Sequence, residues 1–118
     1  WKAAHLWEEL PAELAIPDLQ INVELQHARR QVWLRLEGAL SSAHAAGLGQ
    51  RLQESLARTK AKLVLDLNRL HWDKVDDLGP LRAKLAAYQS RIRVVLPKLQ
   101  AAHPELILIA SMFQHYRG

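Results

Sequence analysis

The spacing of apolar positions changes several times along the chain, and each change marks an element. Lys62-Leu63-Val64-Leu65-Asp66-Leu67 is short and apolar, the pattern of a buried strand. From Asp77 onward, Leu78, Leu81, Leu85 and Tyr88 recur at helical spacing. Pro80 is tolerated only in the first turn of that helix, so its start is expected at Asp76 or Asp77. The stretch between them, Asn68 to Asp76, is polar and acid-rich. A strand that feeds a helix through such a loop is half of a βαβ unit.

Upstream, Ile21-Asn22-Val23-Glu24-Leu25 and Val32-Trp33-Leu34-Arg35-Leu36-Glu37 alternate as half-buried strands, joined by His27-Ala28-Arg29-Arg30 as a hairpin turn. Gly38 releases the chain, and Ser41 or Ser42 can cap a helix whose buried stripe is Ala45, Leu48, Leu52 and Leu56. Gly47 and Gly49 each cost that helix about 1 kcal/mol, or permit close approach to the sheet. Downstream, Ile92-Arg93-Val94-Val95-Leu96 reads as a further strand ended by Pro97. Leu99, Leu106, Ile109 and Phe113 fit a last helix entered through His103-Pro104-Glu105, although Leu106 to Ala110 alone also fits a strand. Phe113 is expected in the core, with the residues after it either a frayed terminus or a contact with a neighbouring domain. At the other end Leu6, Trp7, Leu10 and Leu14 make an amphipathic helix interrupted near Pro11 and ended by Pro17 and Asp18. That helix either packs on the domain's own sheet or serves as a linker to a neighbour. The expected division is a segment 1–19 and a domain 20–118.

The order is β-β-α-β-α-β-α. It implies one α/β domain with a mixed sheet of four or five strands and helices mainly on one face.

Composition narrows the chemistry. The 118 residues suffice for one core without staples, and there is no cysteine, which excludes disulfides, thiolate zinc sites and thiol catalysis. A reducing, cytoplasmic setting is expected. The net charge is +4, but the sixteen Lys and Arg are scattered, with Arg29-Arg30 the one basic doublet. That argues against nucleic acid as a partner. The longest apolar run, Leu106 to Ala110, is too short to cross a bilayer, so no direct membrane insertion is expected. The chain begins at Trp1, which suggests a domain excised from a longer polypeptide.

His5, His27, His44, His71, His103 and His115 lie in six separate segments, and none forms an i, i+4 pair, so no metal site is expected. His71 and Asp73 could do acid–base work, but no nucleophile stands beside them. Trp72 reads more naturally as loop packing. Asp66, inside an apolar strand, needs a partner if buried, with Arg69 or Lys62 at hand. There is no glycine-rich phosphate loop, so no cofactor is expected.

Three stretches resemble the STAS fold of sulfate transporter tails and bacterial anti-sigma factor antagonists. Arg35-Leu36-Glu37-Gly38-Ala39-Leu40 is similar to that family's strand that ends in a glycine before a helix. Leu63-Val64-Leu65-Asp66-Leu67-Asn68-Arg69-Leu70 is similar to its central strand, and Leu78-Gly79 stands where the family opens its second helix. Antagonists of the family carry Asp-Ser-Ser-Gly before that helix, with a serine phosphorylated by a partner kinase. Here the aligned residues are Lys74-Val75-Asp76-Asp77, and no hydroxyl lies between Asn68 and Tyr88. The switch is therefore expected to be absent, with the non-phosphorylatable Asp76 at the phosphosite position. Asp76 and Asp77 are either simple helix caps or a permanently charged partner surface. One carboxylate is weaker than the nearly two charges of a phosphate.

The resemblance implies a non-catalytic regulatory domain of bacterial type, standing alone or fused to a transporter or a cobalamin-dependent radical SAM enzyme. It would bind a protein partner, or a neighbouring domain of its own chain. The expected contacts are His71, Trp72, Asp73, Lys74, Asp76, Asp77 and Arg82 on the loop and the following 77–88 helix, with Lys84 adding charge. The alternative on the same fold is a small-molecule or nucleotide-binding module.

Overall fold

The structure is a computed structural model that describes residues 3–98 and 103–117. Five strands form one sheet in the order β1-β2-β3-β4-β5: β1 (Leu19–Gln26), β2 (Gln31–Gly38), β3 (Lys62–Leu70), β4 (Ile92–Leu96) and β5 (Gln114–Arg117). β1 and β2 form the expected hairpin, turning through His27–Arg29, with Arg30 in the left-handed region at φ 48°. The remaining neighbours are parallel. Helices α3 (Ser42–Arg58), α4 (Gly79–Leu85) and α5 (Pro104–Met112) lie in the three crossovers.

Alternation fixes which face the helices cover. Val32, Leu34 and Leu36 of β2, Leu63, Leu65 and Leu67 of β3, and Ile92, Val94 and Leu96 of β4 are buried. They share one core cluster with Leu48, Leu52 and Leu56 of α3, Leu81 and Leu85 of α4, and Leu106 and Ile109 of α5. The alternate positions Arg35, Glu37, Lys62 and Arg93 are exposed on the other face. β3 has a strand on either side, as its apolar run requires. Ser41 caps α3, its hydroxyl accepting from the His44 N–H at 3.3 Å.

Several expectations need correction. The last apolar segment is the helix α5, and the residues after it are not frayed: they form β5, parallel to β4. Phe113 is buried, as expected, and holds that turn. Helix α4 starts at Gly79 rather than at Asp76 or Asp77. The carboxylates of those two residues accept from the N–H groups of Asp77 and Gly79, a local geometry that competes with an earlier helix start. The helix ends at Leu85, and Tyr88 lies in the following 3₁₀ turn, under the Arg91 guanidinium. Gly49 does permit a close approach, but to α4 and not to the sheet: a Cβ there would lie 3.2 Å from the Leu81 Cα. Leu99, assigned to the last apolar stripe, lies outside the described residues.

The N-terminal segment is two short helices, α1 (His5–Glu8) and α2 (Leu10–Leu14), divided at Glu9, with Pro11 in the first turn of α2, where its missing N–H is tolerated. Trp7 and Leu10 are fully buried in the same core as the sheet. The segment is tied to α3: the Trp7 indole N–H donates to Thr59 Oγ1 at 3.3 Å, and Arg51 donates to the Leu6 carbonyl and pairs with Glu13.

Candidate functional site

The loop 71–78 leaves the carboxyl end of β3, where the resemblance placed the working surface. Three buried side chains fix it from beneath: Trp72, Val75 and Leu78. The Trp72 indole N–H donates to the Leu67 carbonyl at 2.8 Å, so the ring is both buried and satisfied. The His71 N–H donates to the Gly38 carbonyl at 2.8 Å, tying the loop to the end of β2. A 3₁₀ turn over Trp72–Lys74 brings the Val75 carbonyl to His103 Nε2, at 3.0 Å. The other ring nitrogen, Nδ1, accepts from the Glu105 N–H at 3.1 Å and caps α5. Nε2 therefore donates to the carbonyl and Nδ1 accepts, which is the neutral imidazole in one tautomer. The His103 ring also meets Trp72 edge-on, with centroids 5.5 Å apart.

What this frame presents outward is acidic. His71, Asp73, Lys74, Asp76 and Asp77 are all exposed. Asp77 Oδ1 accepts from the Gly79 N–H at 2.8 Å, and Asp76 Oδ1 from the Asp77 N–H at 2.7 Å. Asp77 thus does cap-like work two residues ahead of the first helical residue, while Asp76 leaves most of its carboxylate to solvent. A Cβ at Gly79 would meet Asp77 Oδ1 at 2.8 Å, so glycine lets the carboxylate close on that N–H. Gly38 is needed beside it for a different reason. Its φ is +113°, and a Cβ would lie 2.3 Å from the Asp18 carbonyl oxygen.

Two expected partner contacts turn inward. Trp72 is 4% exposed and packs beneath the loop, as its reading as loop packing expected. Arg82 forms a two-pronged pair with Glu105, at 3.0 and 3.2 Å, that joins α4 to α5. Glu105 is nearly buried there, a role that only the tertiary contact reveals. Asp66 finds neither Arg69 nor Lys62. Its carboxylate faces Arg35 at 3.8 Å on the uncovered face and accepts from the Asn68 N–H at 3.0 Å. His71 and Asp73, with Trp72, Pro97 and His103, line an open cleft of about 460 Å³ beside the loop. Among the described residues, no group of three His, Asp or Glu side chains is placed to hold a metal ion, and no helix is long and apolar enough to cross a membrane.

A crystal structure of an anti-sigma factor antagonist from Mycobacterium paratuberculosis superposes with a TM-score of 0.64, covering 87% of this chain and 90% of that one at 20% identity. The chain has a STAS-like fold. No family model matches it, and no curated protein does. On the STAS-like frame, Asp76 and Asp77 stand in the loop between β3 and α4. His103 and Glu105 were legible only as a helix start; their ties to Val75 and Arg82 cross 28 and 23 residues of sequence.

Proposed function

We propose that this is a non-catalytic regulatory domain that binds a protein, or another domain of its own chain, through the exposed side of loop 71–78. One observation carries the reading: a loop pinned by three buried anchors offers three carboxylates against one ammonium at the carboxyl end of the central strand. Ligands of open α/β sheets meet the chain at strand carboxyl ends. A rigid acidic rim suits a basic surface and sets encounter rate and specificity. The contacts are His71, Asp73, Lys74, Asp76 and Asp77. Asp76 supplies a fixed charge where a STAS antagonist would be switched by phosphate, so recognition here is constitutive.

The test places a photo-crosslinking residue at Lys74 in the full-length protein in its native cells, with exposed Glu54 on α3 as the control position. The expected result is a discrete adduct from Lys74 that disappears with Asp76→Lys and Asp77→Lys. Adducts that ignore charge reversal, or that form equally from Glu54, refute the reading. For the antagonist branch, an anti-sigma kinase should phosphorylate Asp76→Ser. A kinase that neither binds the wild type nor modifies this variant excludes that branch.

The cleft under His71 and His103 supports a second reading, a small-molecule or nucleotide site. Saturable amide shifts at Asp73 to Gly79 on titration with nucleotides would establish it in place of the first.

A further inference from the structure

The basic residues that are scattered in sequence are gathered in space at the amino end of the parallel strands. Arg29 stands in the β1–β2 turn, Lys62 opens β3, Arg91 closes the 3₁₀ turn before β4, and Arg93 lies on β4. Together they line an open cavity of about 400 Å³, whose remaining walls are Leu63 and the neutral polar side chains of Gln31, Ser90 and Gln114. No carboxylate lines it. Among the described residues, none of these four cations has an ion-pair partner; the arginines that do are Arg35, Arg51 and Arg82. Arg30, Arg58 and Lys60 extend the same pole outside the cavity.

Two of the guanidinium groups are held in place without being neutralised. Arg91 donates to the carbonyls of Leu56, Thr59 and Ala61 and stacks on Tyr88, 5.1 Å from the ring centroid. Arg93 donates to the Tyr116 hydroxyl and lies 5.8 Å from the centre of its ring. Carbonyls and a phenol orient a guanidinium but leave its charge in place. Four like charges around one cavity repel, so this arrangement costs the fold stability unless an anion is bound. Fixed guanidinium groups make charge-assisted, bidentate hydrogen bonds to oxyanions such as phosphate, and pre-fixing the donors reduces the ordering cost of binding.

We propose that this cavity is a binding site for a small ligand carrying at least two oxyanion charges, of the phosphate-ester class. The site lies at the opposite end of the sheet from loop 71–78 and does not depend on the partner reading of that loop.

The experiment titrates the ¹⁵N-labelled protein with pyrophosphate and, separately, with inorganic phosphate. Expected are saturable amide shifts at Leu63, Arg93 and Gln114, with pyrophosphate the tighter ligand. Lys62→Gln and Arg29→Gln are the test variants, because among the described residues neither side chain has a hydrogen-bond or ion-pair partner within the fold. Each should weaken pyrophosphate about tenfold, the effect of one lost charged hydrogen bond, while Glu54→Gln leaves the affinity unchanged and the thermal midpoint confirms folding. Shifts that do not saturate at millimolar pyrophosphate, or that persist equally in both variants, refute the site. A single-stranded oligonucleotide or anionic vesicles that bind more tightly than pyrophosphate and shift Arg58 and Lys60 also would refute it, since the ligand would then be a polyanionic surface.

Discussion

The two ends of the sheet bear charge of opposite sign, and they acquire it by different routes. At the carboxyl end, one continuous loop carries Asp73, Asp76 and Asp77, with its anchor Val75 among them and its anchors Trp72 and Leu78 on either side. At the amino end, Arg29, Lys62, Arg91 and Arg93 come from separate segments and meet only because strand register aligns them. The acidic end spends its buried residues on holding a backbone shape; the basic end uses carbonyls and phenols to hold side chains. A site built from one segment tolerates drift elsewhere in the sheet, whereas a site built from register is lost with a one-residue slip.

The sharpest way to break this comparison is at its anchor. Trp72→Ala should destabilise the domain by about 3 kcal/mol or more in denaturant unfolding, because it empties a buried site and leaves the Leu67 carbonyl unpaired. A variant of wild-type stability would mean that the ring belongs to the partner surface after all. Arg82→Ala comes next, at about 2–3 kcal/mol, since it strands the nearly buried Glu105 carboxylate. The double variant Arg82→Met with Glu105→Leu should recover most of that loss. If it does not, the pair does more than join α4 to α5.

Smaller effects separate the two aspartates. Asp77→Ala should cost about 1 kcal/mol by removing the acceptor for the Gly79 N–H, whereas Asp76→Asn should stay within about 0.5 kcal/mol. Equal costs would make Asp76 a structural cap and remove the reason to assign it to recognition. The smallest effect is at the basic end. Lys62→Gln should leave stability unchanged or raise it by a few tenths of a kcal/mol, roughly what relief of like-charge repulsion provides. Added salt should narrow that gap through screening.

Much of the fold was readable from periodicity. The hairpin, the buried β3, the stripe of α3 and the interrupted N-terminal helical segment follow from two-residue and three-to-four-residue spacing within single segments. β5 was missed because Gln-His-Tyr-Arg shows no apolar alternation; its strand form is imposed by the exposed edge of β4. The start of α4 was placed too early because propensity cannot weigh two Asx-type bonds against a helical turn. Within the candidate site, exposed Asp73, Asp76 and Asp77 were legible as one acidic run. Trp72 was legible as loop packing, but its partners Leu67 and His103 were not, nor was the inward turn of Arg82 onto Glu105, because these contacts are set by packing. The basic pole left no local signal, and scattered charges in sequence gave no warning of a shared cavity.

The most direct measurement compares both ends in one labelled sample, titrated first with pyrophosphate and then, in a separate aliquot, with a short oligoarginine peptide. The account predicts two non-overlapping sets of shifted amides: Leu63, Arg93 and Gln114 for the anion, and Asp73 through Gly79 for the cation. A common set of shifts for both titrants, or none at loop 71–78 with the peptide, would contradict it.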